Sequence, residues 1–161
     1  MKRTTTFVAC SAILYFAFGC NKPPAPAPAP ETQADAGGHA HGSGPHGGTL
    51  TDWGGGAYHV EFTVDHDKKE AMVFILGSDE KSPSPIKSEK IQLTINDPAT
   101  EIELVAMPLE GEAAGTSSRF VGTHDTIGIV KEFSGTLSGE IEGTPYTGDF
   151  AEEPHGADHS H

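Results

Sequence analysis

The sequence predicts an all-β domain, built as a single antiparallel β-sandwich of about seven short strands. Apolar and polar residues alternate with a period of two in several short segments. Clusters of Gly, Pro, Asn, Asp and Ser separate these segments at short intervals. Between residues 45 and 150, no segment combines helical periodicity with the length of a stable helix. This pattern is typical of an Ig-like sandwich.

Residues 45–150 hold the predicted strands. Residues 58–64 alternate between apolar and polar side chains, which indicates a strand with one buried face. Residues 71–76 are apolar throughout, which indicates a central strand buried on both faces. The Glu142-Gly143 pair has the chemistry of a two-residue hairpin turn. The other predicted strands are residues 89–95, 101–106, 119–121, 137–141 and 144–150.

Two features near the end of the domain complete this assignment. Residues 125–133 fit neither the helical nor the strand period, and Gly128 weakens a helix there. Pro145 has no N–H to give to a sheet, so the last strand is predicted to begin at a sheet edge. We expect disordered tails on both sides of this domain.

Residues 1–19 have the features of a secretory signal peptide. Lys2 and Arg3 form a positive start, and an apolar run of 13 residues extends from Phe7 to Gly19. A run of this length is too short to span a bilayer comfortably as a helix. We expect it to direct export and then to be removed.

The signal ends in Ala17-Phe18-Gly19-Cys20, which resembles the bacterial lipobox. In a lipobox, a small residue precedes a cysteine that is acylated and becomes the new N-terminus. Gly19 and Cys20 match this pattern, whereas Ala17 and Phe18 depart from it. The resemblance implies a lipid anchor on Cys20 and a periplasm-facing position in a bacterial cell envelope, in either membrane. The alternative is an ordinary cleaved signal beside a chance cysteine.

Both tails carry His-x-His pairs. Residues 20–44 contain an alternating Pro-Ala stretch, which suits an extended spacer, followed by His39 and His41. Residues i and i+2 of an extended chain point the same way, so each pair can offer two imidazoles to one Zn, Cu or Ni ion. The alternative is a soluble tail whose histidines bind nothing. In the C-terminal tail, residues 151–161, the histidines are His155, His159 and His161.

The chain is strongly acidic. It has 10 basic and 23 acidic residues, a net charge of -13, and loss of Lys2 and Arg3 with the signal makes the net charge -15. Such a surface repels nucleic acid and anionic lipid and favours cations, including metal ions. The simpler explanation is that the charge keeps the protein soluble. We expect no nucleic-acid partner.

His46, His59 and Glu61 are the candidates for an ordered metal site. His46 lies between Pro45 and two glycines at the entrance of the domain, where the backbone can approach a ligand closely. His59 and Glu61 share one face of the predicted strand 58–64. Two imidazoles and a carboxylate form a ligand set that suits Zn or Cu(II). The simpler interpretation, which we favour on the sequence alone, is a strand-start turn and a solvated strand face.

The sequence contains no pattern that argues for catalysis. It has no nucleophile elbow, no phosphate-binding loop and no His-Glu-x-x-His motif. Its one mature cysteine is the expected acylation site. We therefore predict that the protein is not an enzyme and uses no organic cofactor.

Three short motifs carry a resemblance to a known family: His46-Gly47-Gly48, the Gly-Gly-Ala-Tyr-His-Val-Glu segment at 55–61, and the Glu-Gly-Thr-Pro-Tyr-Thr-Gly segment at 142–148. The chain resembles a small β-sandwich module found as a stand-alone envelope lipoprotein in planctomycete-type bacteria. It is similar to the domain before the adaptor core in periplasmic subunits of heavy-metal efflux pumps of the cobalt-zinc-cadmium type. The resemblance implies metal handling or contact with another envelope protein.

These features together predict an envelope lipoprotein that binds transition-metal ions and is accessory to metal efflux or homeostasis. The expected partners are a membrane, through Cys20, and an envelope protein or metal efflux pump. The alternative is a non-catalytic sandwich that binds another protein or acts structurally, with incidental histidines.

Overall fold

The computed structural model describes residues 42–152 of the chain. The predicted signal peptide, the lipidation site at Cys20, the linker and the tail histidines lie outside these residues. Those histidines are His39, His41, His155, His159 and His161.

The strands of residues 42–152 are all antiparallel and form one eight-stranded sheet. They are β1 (Thr49–Trp53), β2 (Tyr58–Asp65), β3 (Glu70–Leu76), β4 (Lys90–Ile95), β5 (Thr100–Ala106), β6 (Arg119–Thr123), β7 (Ser134–Ile141) and β8 (Thr144–Ala151). Their order in the sheet is β1-β2-β3-β6-β5-β4-β7-β8, so β1 and β8 occupy its two ends. Within the segment 125–133, a short 3₁₀ helix forms at Asp125–Gly128. No helix in the described part of the chain has the length and apolar character needed to cross a membrane.

The two end strands lie side by side, so the sheet is nearly closed on itself. The Thr49 hydroxyl donates a hydrogen bond to the carbonyl oxygen of Ala151 over 3.1 Å. The Thr51 hydroxyl donates to the carbonyl oxygen of Asp149 over 2.8 Å. β1 and β8 therefore meet through side chains, along a seam that is not part of the backbone ladder of the described sheet.

The all-β prediction is confirmed, but the two-sheet, Ig-like sandwich is not what these strands form, because all eight belong to one sheet. A nearly closed sheet and a pair of packed sheets both produce strands with one buried face, so alternation alone does not separate them. The prediction of about seven strands omitted β1. Three of the five residues of β1 are polar, which hides it in the sequence.

The inner face of the sheet encloses the main apolar core. Trp53, at the end of β1, is fully buried there and stacks on Tyr146 with ring centroids 6.0 Å apart. The ring of Phe62, from β2, packs against that of Phe150, from β8, at 4.4 Å. The core therefore joins the two ends of the sheet from inside. Its other fully buried members include Val60, Ala71, Val73, Ile75, Leu93, Leu104, Phe120, Ile127 and Leu137.

Three local predictions are confirmed. In β3, Phe74 and Leu76 point away from the main core and are nevertheless buried, so this strand is covered on both faces. Glu142 and Gly143 have φ values of 51° and 81°, and they join β7 to β8 in a two-residue hairpin with both turn residues left-handed. Pro145 lies in β8, at the end of the sheet.

Candidate functional site

The outer face of β1, β2 and β3 is covered by two segments of the chain. Residues 44–48, which precede β1, contact Glu61 on β2. Residues 77–85, which follow β3, approach His59 on the same strand. His59 and Glu61 are both buried on this covered face. The apolar side chains buried beside them are Leu50, Phe74 and Leu76.

Glu61 is the centre of the first half of the site. Its side chain is fully buried. Its Oε1 accepts hydrogen bonds from the backbone N–H groups of His46, at 2.7 Å, and Gly48, at 2.9 Å. Its Oε2 lies 2.7 Å from Nδ1 of the His46 ring. Burial of a carboxylate is unfavourable unless such partners replace water, so residues 46–48 are what permit Glu61 at this position.

The turn at residues 44–48 needs glycines for steric reasons. The backbone N–H of Gly44 donates to the carbonyl oxygen of Gly48 over 2.9 Å. A Cβ atom on Gly44 would overlap the carboxylate of Glu61, and a Cβ atom on Gly48 would overlap the carbonyl oxygen of Phe62. Gly44 and Gly48, two residues to either side of His46, therefore permit close packing of the backbone on β2.

The His46 ring is fixed from two directions. It stacks on Phe74 with centroids 3.7 Å apart and an interplanar angle of 10°. Its Nδ1 is engaged by Glu61. The His46 side chain nevertheless remains 39% exposed. The remaining ring nitrogen, Nε2, is the one left for solvent or for a ligand, and imidazole nitrogen is the commonest metal ligand in proteins.

His59 forms the second half of the site and is engaged at both ring nitrogens. Its Nδ1 lies 3.0 Å from the carbonyl oxygen of Gly77. Its Nε2 lies 2.9 Å from a carboxylate oxygen of Asp52 and 3.4 Å from one of Glu80. Ionised carboxylates and carbonyl groups only accept hydrogen bonds, so both ring nitrogens of His59 face acceptor oxygens of the protein. Neither ring nitrogen is left facing a site shared with His46.

The loop at residues 77–85 is organised by Asp79. Its carboxylate accepts hydrogen bonds from the Ser82 hydroxyl, at 2.5 Å, and from the backbone N–H groups of Ser82 and Lys81, at 2.9 and 3.1 Å. The Ser82 hydroxyl is the largest cause, and these bonds together lower the pKa of Asp79 from 3.8 to about 2. Glu80 follows with a left-handed φ of 59°, and its carboxylate reaches His59.

The structure brings two of the three predicted ligands together. His46 and Glu61 are in direct contact, whereas His59 lies on the same face but contacts other partners. The expected solvated strand face is instead buried. Among the described residues, no group of three or more His, Cys, Asp or Glu side chains is arranged to hold a metal ion.

Sequence reasoning missed Asp52 and Glu80 as partners of His59. Asp52 is the cross-strand neighbour of His59, but β1 was not predicted as a strand, so its register with β2 was unknown. The segment Thr-Leu-Thr-Asp-Trp does not alternate regularly, so no local signal points to Asp52. No sequence signal identifies Glu80, because the conformation of the loop at residues 77–85 places it beside His59.

Two other histidines contact the main chain. The Nδ1 atom of His66 lies 2.7 Å from the carbonyl oxygen of Ile127. The Nδ1 atom of His124 accepts a hydrogen bond from the backbone N–H of Thr126 over 3.1 Å, at the start of the 3₁₀ helix. Both histidines thereby help to attach the 3₁₀ helix to the sheet.

Comparisons of the chain with protein-family models, with curated proteins and with solved structures found no match.

Proposed function

We propose that this protein is a bacterial envelope lipoprotein that binds transition-metal ions through its histidines, without catalysing a reaction, in metal efflux or homeostasis. The observation that carries the proposal is the state of His46. Its ring is fixed by Glu61 and Phe74, yet the side chain is 39% exposed. Metal-binding histidines commonly have one nitrogen held by a carboxylate and the other directed to the ion.

The fold supports the proposal by joining both histidine tails to the same edge of the domain. The hydrogen bond between Thr49 and Ala151 places the start of β1 beside the end of β8. Two residues separate His46 from the start of β1, and the C-terminal tail follows β8. The N-terminal tail therefore leads directly into His46, and the C-terminal tail follows a strand that ends beside Thr49.

The sequence separation of the N-terminal histidines also suits a shared site. Four residues lie between His41 and His46, and one lies between His39 and His41. At roughly 3.4 Å per extended residue, His41 is within about 17 Å of His46 along the chain and can fold back to it. Two or three imidazoles from this segment match the ligand preference of Zn, Cu and Ni. The C-terminal candidates are His155, His159 and His161.

Calorimetric titration of the soluble chain from Asn21 with Zn(II), Cu(II) and Ni(II) tests this function. We expect one ion to bind, and we expect His46→Gln to weaken binding. We also expect weaker binding when the five tail histidines are replaced by Gln. The matched control is His66→Gln, because His66 is tied to a backbone carbonyl on the 3₁₀ helix.

Two outcomes would contradict the proposal in different ways. If no ion binds more tightly to the wild type than to a variant without histidines, metal binding is not the function. If the tail variant loses binding but His46→Gln does not, the tails bind ions alone and the fold contributes no ligand.

Membrane attachment through Cys20 is part of the same proposal and has its own test. We expect the wild-type protein to incorporate a labelled fatty acid in a bacterial host and to fractionate with membranes. Cys20→Ala is expected to abolish both properties. A labelled Cys20→Ala variant, or an unlabelled wild type, would rule out the lipid anchor.

The second candidate function is binding of another envelope protein, with incidental histidines. The observation that favours it is a row of apolar side chains on the outer face of the sheet. Met72, Val121 and Val105 are cross-strand neighbours on β3, β6 and β5, and Val105 is 56% exposed. A partner captured from envelope extract in the presence of chelator, and lost with Val105→Glu, would favour this function.

A further inference from the structure

We propose that Glu61 is a positioning residue that keeps the ring proton of His46 on Nδ1, so that an ion is coordinated through Nε2 alone. This inference deepens the proposed function, and its consequence for metal binding rests on that function. The protonation state itself does not depend on any metal.

The first step of the argument is that Glu61 is an acceptor at both oxygens. Its Oε1 faces two backbone N–H groups, from His46 at 2.7 Å and Gly48 at 2.9 Å, and such groups only donate. The side chain is fully buried. Two charge-assisted hydrogen bonds from the backbone favour the ionised carboxylate, which has no proton to donate.

The second step concerns the histidine ring. Oε2 of Glu61 lies 2.7 Å from Nδ1 of His46, which is the distance of a charge-assisted hydrogen bond. Because the carboxylate accepts, Nδ1 carries the proton. A neutral imidazole has one donor and one acceptor nitrogen, so its lone pair lies on Nε2. Stacking on Phe74 fixes the plane of the ring in which that lone pair points.

The third step concerns the choice of metal. Cu(II) and Ni(II) adopt square-planar sites, and a His-Gly-Gly segment can offer them a ring nitrogen together with deprotonated main-chain nitrogens. Glu61 already holds Nδ1 and the N–H group of His46, and also the N–H group of Gly48. Main-chain chelation is thereby opposed, and side-chain coordination of the kind that Zn(II) prefers is favoured.

The test is nitrogen-15 NMR of the histidine rings in the soluble chain from Asn21, recorded without metal at about pH 8.5, where an ordinary imidazole is neutral. The His46 signals are assigned by their loss in His46→Gln. We expect a ring protonated at Nδ1. A ring protonated at Nε2, at both nitrogens, or in a mixture of the two neutral forms overturns the proposal.

Glu61→Gln provides the matching variant. Its amide oxygen can still accept the backbone N–H groups, while its NH₂ group faces Nδ1 and turns that nitrogen into an acceptor. We expect the proton of His46 to move to Nε2 and Zn(II) binding to weaken by about 10- to 100-fold. Glu103→Gln, an exposed change on β5, is the control. Fluorescence of buried Trp53 reports whether each variant is folded.

The outcomes separate this proposal from the proposed function. If the proton moves but Zn(II) binding is unchanged, Glu61 positions the ring and His46 is not the metal ligand. If the proton stays on Nδ1 in a folded Glu61→Gln variant, Glu61 does not position it. If the variant does not fold, the spectrum of the wild type decides the question.

Discussion

Glu61 shows how one buried charge can determine the local chain path. Its carboxylate accepts the backbone N–H groups of His46 and Gly48 and contacts Nδ1 of the His46 ring, which holds residues 46–48 on the outer face of β2. A buried carboxylate that loses such partners destabilises a fold strongly. The turn before β1 is therefore fixed by an acidic residue that lies 13 to 15 positions further along the chain.

Gly48→Ala is expected to destabilise the protein by about 1–3 kcal/mol, as overpacking commonly does. The added Cβ atom would overlap the carbonyl oxygen of Phe62, which is backbone and cannot rotate away. Urea unfolding followed by Trp53 fluorescence measures the change. Gly42→Ala is the matched control, because a Cβ atom there has open space. Equal stabilities of the two variants would contradict the close approach.

At this scale, the sequence predicted the positions of the site residues but not their surroundings. The alternation of β2 correctly placed His59 and Glu61 on one face. It could not show that this face is covered, because the cover comes from residues 44–48 and 77–85. Periodicity describes one strand and its two faces, and it contains no information on which distant loop packs there.

At the scale of the elements, the β7–β8 hairpin depends on its turn. Gly143→Ala is expected to cost about 1–2 kcal/mol, because Gly143 has a φ of 81° and a side chain is strained there. Thermal unfolding measures the effect. Glu142→Asn should act in the opposite direction, since Asn tolerates the left-handed conformation of this position better than Glu. A Gly143→Ala variant as stable as wild type would show that the turn has another geometry.

The loop at residues 77–85 is expected to weaken in acid through Asp79. Its pKa is lowered to about 2 in the folded protein, from 3.8, by the hydrogen bonds from Ser82 and Lys81. The stabilisation from Asp79 is therefore present above about pH 4 and is lost as the pH falls through about 2.

The measurement is the difference in free energy of unfolding between wild type and Asp79→Asn at several pH values. This difference should be constant from about pH 7 to pH 5, shrink below about pH 4 and vanish only below about pH 2. A difference that stays constant down to pH 2 would mean that the carboxylate does not hold the loop.

Prediction of the elements succeeded where the signal was local. The apolar run of β3 and the Glu142-Gly143 turn were both identified from a few adjacent residues. An unbroken apolar run indicates burial on two faces, and a Glu-Gly pair between two strands indicates a left-handed turn. β1 was not identified, because Thr49 and Thr51 use their hydroxyls at the seam and so look like loop residues.

At the scale of the whole molecule, closure of the sheet depends on threonine hydroxyls. Thr51→Val keeps the shape of the side chain but removes the donor to Asp149, so we expect a loss of about 0.5–1.5 kcal/mol. Hydrogen exchange at β8 amides should also become faster, since β8 would be held mainly by β7. Thr123→Val, at the exposed end of β6, is the control. Unchanged exchange in β8 would show that Thr51 does not hold the seam.

The all-β class followed from the sequence, whereas the predicted two-sheet arrangement of the strands was not what the structure has. Alternation in strands such as β4 and β5 established that each has one buried face. Whether those faces enclose one core in a closed sheet or pair across two sheets depends on contacts between β1 and β8, which are about 100 residues apart. No window of local sequence carries that information.

The seam between β1 and β8 also makes the domain suitable for circular permutation. Because β1 begins where β8 ends, a short peptide could connect residue 152 to residue 48 across the edge of the sheet. A new chain start could then be made at the Glu142-Gly143 turn, giving a circular permutant in which β8 comes first. Such a permutant would convert the contact between β1 and β8 into a covalent hairpin. His46 precedes residue 48, so the connecting peptide would have to supply this histidine.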